Sequence, residues 1–274
     1  MTSVLLSLLF NSPVQEERRA STTGDIRYHR EFESAALGNK RTLTVYLPPR
    51  YNDESKRHYS VLYMHDGQNL FDGMTSFIPN KEWRVDETAE ALINAGLIEP
   101  IIVVGIDNAG MERGNEFLPT RVRGTGGKAD LYGKMLADEI MPFIDRTYRT
   151  KRGPKYTAVA GSSFGGILSL HLALTRSDKF GKAAVVSPSV WWDNRVMVKR
   201  VNDLKSKLPV KIWLDMGASE GPGALEDARA LRDAMVAKGW GKGDFAYVEE
   251  ANAQHNEDAW ARRMGAILLF LFGR

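Results

Sequence analysis

The sequence contains no cysteine. Disulfide scaffolds, thiol nucleophiles, zinc fingers and iron–sulfur clusters are thereby excluded, and the redox compartment is left open. Long apolar runs are also missing. The N-terminal stretch Met1-Thr-Ser-Val-Leu-Leu-Ser-Leu-Leu-Phe10 is too short to span a bilayer, which takes about 20 residues. It is similar to the core of an export signal, but has no basic region before it and no small-residue cleavage site after it. Residues 1–24 are therefore read as an N-terminal extension. The cytoplasm is the expected location, with the periplasm or the exterior as the alternative should this segment be a trimmed signal.

Charge of one sign is scarce. Lys plus Arg number 37 against 34 Asp plus Glu, a net charge of only +3, and no basic stripe of the kind that grips nucleic acid is present. The densest basic run, residues 121–128, is short and glycine-rich and reads as a solvated loop. Gly124-Thr-Gly-Gly-Lys-Ala129 formally fits a dinucleotide fingerprint, yet no convincing strand precedes it. A Walker A sequence and histidine pairs at zinc-ligand spacing are likewise absent. Neither cofactor nor metal is expected, and no nucleic-acid partner.

What is there is a globular composition. The 274 residues are 43% hydrophobic and 26% charged, close to a soluble average. A chain of this length buries roughly 70–75% of its unfolded surface without staples. Residues 26–33 and 42–47 alternate in polarity, as half-buried antiparallel strands do. Short apolar runs follow at 59–64, 101–106, 156–160, 182–186 and 211–216, suited to parallel strands covered on both faces. Amphipathic segments separate them at 85–95, 129–148, 164–175, 224–238 and 257–272. Two antiparallel strands followed by a parallel series with helices on both faces is the order of an α/β-hydrolase, here one domain over residues 25–274.

Gly161-Ser-Ser-Phe-Gly165 fits G-x-S-x-G with Ser163 at its centre, after an apolar strand and before an amphipathic helix. That context is a nucleophile elbow, where small neighbours leave room for a strained turn that raises the hydroxyl above the sheet. A serine hydroxyl needs an adjacent base. Of the five histidines, His255 alone lies between the last apparent strand and the C-terminal helix, where this fold places the base. His171 reads as a packing residue within a helix, His65 as a buried residue holding a loop, His58 as part of a charged loop and His29 as a strand residue. The orienting acid should follow residues 211–216. Asp215, Glu220, Glu226 and Asp227 qualify, and Glu220 is preferred because its loop holds Gly217, Gly221 and Gly223. The backbone N–H groups of Phe164 and of Gln68, which follows Gly67, are the expected oxyanion donors. Trp191 and Trp192 are either a substrate platform or packing residues, and Asn108 and Arg113 are further candidates for substrate contact.

These segments carry a resemblance. His65-Asp-Gly-Gln-Asn-Leu-Phe-Asp72, Gly161-Ser-Ser-Phe-Gly-Gly166, Ser187-Pro-Ser-Val-Trp-Trp192 and His255-Asn-Glu-Asp-Ala-Trp260 resemble the putative-esterase family of α/β-hydrolases, which includes enterochelin-esterase-like, feruloyl and acetylxylan esterases and mycolyltransferases. The resemblance runs from about residue 25 to the end. It implies a serine ester hydrolase acting on small-molecule or carbohydrate-linked esters, with Ser163 and His255 carried over. The acid varies within the family among Asp, Glu and an apparent dyad. Acyl transfer on the same residues and cleavage of a siderophore trilactone are the alternative activities.

Overall fold

The computed structural model describes residues 17–274. The apolar stretch before residue 17 lies outside the described residues. Eight strands form the central sheet: β1 (Asp25–Ser34), β2 (Asn39–Leu47), β3 (Ser60–His65), β4 (Ile101–Ile106), β5 (Thr157–Ser162), β6 (Lys182–Val186), β7 (Lys211–Gly217) and β8 (Phe245–Glu250). Their spatial order is β1-β2-β4-β3-β5-β6-β7-β8. β1 pairs antiparallel with β2 and β2 antiparallel with β4, while β4-β3-β5-β6-β7-β8 is parallel throughout. This is an α/β-hydrolase-like fold, with parallel strands connected by helices that cover both faces.

Alternation along the strands explains the two cores. On one face Val45, Tyr63, Val104, Val159, Val185 and Leu214 pack against α2 (Ala129–Lys134), α4 (Phe164–Thr175) and α6 (Ala224–Ala237). On the other, Tyr46, Met64, Val103, Ala160, Val186 and Trp213 meet α1 (Val85–Asn94) and α7 (Glu257–Phe272). Among the described residues no helix is long and apolar enough to cross a membrane.

Three segments depart from the sequence pattern. The single helix expected over 129–148 is divided into α2, a π-helical stretch Met135–Ile140 and α3 (Met141–Thr147). Pro142 stands at the start of α3 and has no N–H for the carbonyl four residues back, so the ladder changes register there. Residues 121–128 are not a plain loop. Arg121–Val122 and Thr125–Gly126 pair as a small antiparallel ribbon, and Gly126 is at φ 92° where a Cβ would stand 2.2 Å from Thr120 O. Finally, α5 (Trp192–Asp203) was not signalled by the sequence. Only Trp192, Met197 and Val201 of its residues are buried, and Asp193, Asn194 and Arg195 have left-handed backbone that interrupts the periodicity.

The described part of the N-terminal extension is fastened to the domain. Ser21 N donates to Asp72 Oδ1 at 3.2 Å, Ser21 Oγ to Glu82 Oε1 at 2.6 Å, and Thr23 N to Asp86 Oδ2 at 2.6 Å.

Candidate active site

Ser163 is the one residue between β5 and α4, at φ 59° and ψ −120°. A non-glycine residue stays there only if its surroundings over-determine it, and they do. Ser163 N donates to Val186 O at 3.1 Å, and Ser163 O accepts from Ser189 N, Gly166 N and Ile167 N at 3.1–3.2 Å. The flanking glycines are sterically required: a Cβ on Gly161 would lie 2.9 Å from His65 Cδ2, and one on Gly166 would lie 2.8 Å from Val186 O. The turn turns the Ser163 hydroxyl toward Ser189 Oγ, 3.3 Å away.

His255 comes from the loop between β8 and α7, and its Nδ1 lies 2.8 Å from Glu220 Oε2. The ring meets Trp260 edge-on, with centroids 5.0 Å apart. Glu220, its side chain 1% exposed, is held from behind. Its Oε1 accepts from Ser187 Oγ at 2.5 Å and Gly217 N at 2.7 Å, with Arg263 Nη2 at 3.5 Å. Burial pushes the Glu220 carboxyl up, but hydrogen bonds from His255, Ser187 and Gly217 outweigh it and leave the group below its ordinary value.

Asp215 stands one layer deeper and commits both oxygens elsewhere. Oδ1 accepts from Ser187 N at 3.0 Å and Arg263 Nη1 at 2.7 Å; Oδ2 accepts from Trp213 Nε1 at 2.6 Å. Burial pushes its carboxyl up to about 6 against the attraction of Arg263. Glu226 and Asp227 are tied to Arg195 at 2.8 and 2.6 Å. Of the four carboxylates weighed from sequence, Glu220 is the one hydrogen-bonded to His255.

Two cavities meet at Ser163 and His255. The larger, about 570 Å³, is bounded by Gln68, Phe77, Asn108, Met111 and Trp260; the other, about 460 Å³, by Phe164, Pro188, Trp191, Met216 and Pro222. Gln68 sits in a tight turn (Gly67–Asn69) after β3, where a Cβ on Gly67 would be 2.6 Å from Ile106 N. The Gln68 side chain accepts from Asn108 N at 3.2 Å and its carbonyl from Thr75 Oγ1 at 2.7 Å. Phe164 opens α4, so its N–H lies at the positive end of that helix.

The family described as putative esterase matches residues 34–271. The chain belongs to that esterase family. A Xylanibacter ruminicola endo-1,4-beta-xylanase/feruloyl esterase is 31% identical over 214 residues, covering 74% of this chain and 26% of that protein. The ferri-bacillibactin esterase BesA of Bacillus subtilis is 25% identical over 208 residues, 68% of each chain. Among solved structures, the BES protein from Bacillus cereus superposes with a TM-score of 0.73 at 18% identity, covering 94% of this chain and 98% of its own.

In this esterase the residues singled out for substrate contact separate. Trp191 is 56% exposed and lines the smaller cavity, whereas Trp192 is buried and its Nε1 donates to Thr120 Oγ1 at 3.1 Å. Asn108 and Arg113 line the larger cavity, but their donors already serve Asp66. Asn108 Nδ2 lies 2.6 Å from Asp66 Oδ1, and Arg113 grips both Asp66 oxygens at 2.7 and 2.8 Å. Neither offers an unengaged charge to a ligand.

The sequence analysis assigned no role to three buried supports: Ser187, which there only opens a family-like segment, Arg263 and Tyr132. Arg263 is the one with a visible trace, a cation set among Trp260, Met264, Ile267 and Leu268 on the apolar face of α7. Tyr132 OH lies 3.0 Å from Nδ1 of His65, whose burial pulls its pKa from 6.5 down to about 3. That depression gives a stability prediction. Below pH 6.5 the unfolded chain binds a proton at His65 that the folded chain refuses. Stability should therefore fall on acidification between about 6.5 and 3, by up to about 1.4 kcal/mol per pH unit from this residue. Urea titrations of His65→Gln across that window should show a shallower slope than the wild type; an equal slope would refute the assignment.

Proposed function

We propose that this esterase cleaves carboxylic esters through an acyl-enzyme formed on Ser163. The observation that carries the reading is the Glu220–His255 hydrogen bond beside a serine held in a strained strand-to-helix turn. As Ser163 Oγ attacks the ester carbonyl carbon, its proton passes to His255 Nε2. The carbonyl oxygen, now negative, is met by the N–H groups of Phe164 and Gln68. Collapse of the tetrahedral species breaks the bond to the alcohol oxygen, which leaves with the proton from His255. Water then repeats the sequence and frees the acid. Glu220 fixes the tautomer that presents an unprotonated Nε2 to the serine.

The charges around the two cavities favour a neutral ester with an aryl or sugar-linked acyl group. Among the described lining residues Asp66, Glu220, Asp227 and Glu257 are acidic, and the one guanidinium, Arg113, is bound to Asp66. Trp191, Pro188 and Met216 supply a flat apolar wall on one side of Ser163, and Phe77 and Met111 supply another. A highly anionic ferric siderophore would meet no unpaired cation on these walls. A panel of acetyl, feruloyl and siderophore esters tests this. Neutral aryl or sugar esters should be turned over with kcat/KM at least about tenfold above an anionic trilactone. Preference for the anionic substrate would overturn the substrate class while leaving the serine mechanism in place.

A further inference from the structure

At the start of α1, on the far side of the loop that follows Gln68, three carboxylates converge. Glu82, Asp86 and Glu87 each present an oxygen within 4.8 Å of the others. Asp86 is fully buried and Glu82 is 5% exposed. One oxygen of each of these two is bound by the N-terminal strap, Glu82 Oε1 by Ser21 Oγ and Asp86 Oδ2 by Thr23 N. The others, Glu82 Oε2 and Asp86 Oδ1, are buried without a hydrogen-bond donor among the described residues, as is Glu87 Oε2. Buried carboxylate oxygens without a donor are strongly unfavourable unless a counter-charge meets them.

We propose that Glu82, Asp86 and Glu87 bind a hard divalent cation, calcium in particular, which locks the N-terminal strap onto the entrance of α1. An all-oxygen, carboxylate-rich set is the donor chemistry of such ions. The spacing is right as well: two ligands about 2.3–2.6 Å from one calcium ion lie up to about 5 Å apart. A cleft of about 450 Å³, bordered by Arg19, Ser21, Asn80, Glu82, Arg84 and Glu87, lies beside the cluster and has room for the waters that complete the shell. The protein's own counter-charge is limited. Burial pushes the Glu82 carboxyl up and the Arg84 guanidinium draws it down only in part. No ion pair among the described residues joins Arg84 or Arg19 to the three carboxylates, and the positive end of α1 adds only a partial charge.

The position gives the ion a structural task. The segment between Gln68 and α1 forms one wall of the larger cavity and is folded back on itself: Trp83 N donates to Asn69 O at 2.9 Å, Val85 N to Leu70 O at 3.1 Å, and Phe77 N to Asn69 Oδ1 at 2.8 Å. A cation on Glu82 and Asp86 fastens the far end of that wall to residues 21–23. The rival occupant is a proton, since burial, with Glu87 adding to it, pushes the Asp86 carboxyl up to about 9.

The test uses the full chain carrying Ser163→Ala, so that its readout is independent of ester cleavage. After chelation and desalting, calcium chloride or magnesium chloride is added and binding heat and Tm are measured at pH 7.5. Calcium should bind at about one per chain and raise Tm by about 5 °C at saturation, with magnesium giving a smaller shift. Asp86→Asn, and Glu87→Gln as the milder change at a half-buried position, should remove the calcium-dependent shift from a folded protein. Absence of binding heat and Tm shift in the chelated parent overturns the proposal. So does an unchanged calcium response in both variants. A chelated parent that ignores calcium but gains Tm from Asp86→Asn assigns the cluster to a shared proton instead.

Discussion

Ser163→Ala should lower kcat/KM for carboxylic esters by about 10⁴–10⁶ while leaving the fold intact. The loss is large because the proposed nucleophile is a single atom. Without Oγ no acyl-enzyme forms, and His255 with the two oxyanion donors is left to assist water alone. The fold should survive because the turn is held by its backbone. The bonds to Val186, Ser189, Gly166 and Ile167 all use main-chain atoms, and the side chain adds only the 3.3 Å contact with Ser189 Oγ. Alanine pays the same conformational cost at φ 59° that serine does. Ser162→Ala is the matched control. Ser162 ends β5 with its side chain buried, and the variant should keep most of its activity. A serine-directed phosphonate should label Ser163 in the parent and nothing in Ser163→Ala. Circular dichroism showing a native Ser163→Ala variant with more than a tenth of parental activity would end the acyl-enzyme reading.

How much of this was legible beforehand depended on the range of the interaction. The strands at 101–106 and 182–186 stand where the apolar runs placed them, because a sheet buried on both faces writes continuous hydrophobic runs into the sequence. The strand–Gly-x-Ser-x-Gly–helix unit was equally visible, since it is local; Gly161 has a steric reason to be there, whereas a Cβ on Gly165 would meet Asp66 and His65 only at ordinary contact distances of 3.4 Å and more. Helix α5 was not visible, because few of its side chains face the core and its first turn is left-handed. The roles of adjacent Trp191 and Trp192 could not be separated from sequence, as Phe164 meets both rings and only the fold decides which one is buried with its Nε1 on Thr120. Arg113 read as a ligand-facing cation until its partner came into view. Asp66 is 47 residues away, and no periodicity links the two. The same holds for Arg263, whose partner Asp215 lies 48 residues earlier.

The choice between Glu220 and Asp215 as the orienting acid gives the second large effect. Glu220→Gln should lower kcat by about 10²–10⁴ with little change in KM, comparable to replacing the orienting acid of other serine hydrolases by its amide. The amide oxygen can still accept from Ser187 Oγ and Gly217 N, so the side chain stays in place. Its other end then offers an N–H₂ to His255 Nδ1, which must accept rather than donate. The remaining ring proton moves to Nε2, the nitrogen that has to take the proton from Ser163. Asp215→Asn should do something different. It weakens the partner of Arg263, a guanidinium whose side chain is 4% exposed, and a buried charge deprived of its partner costs about 3–5 kcal/mol. Discounting for Glu220 and Glu250, which still face Arg263 at 3.5 and 3.1 Å, the expected loss is nearer about 2 kcal/mol of stability, with kcat of the folded fraction within about tenfold of the parent. Urea unfolding and single-turnover kinetics on both variants separate the two effects. A silent but fully stable Asp215→Asn beside an active Glu220→Gln would transfer the acid's role to Asp215. Near-parental turnover in both would mean that His255 serves Ser163 without an orienting carboxylate, and the 2.8 Å contact with Glu220 would then be a packing feature of the loop.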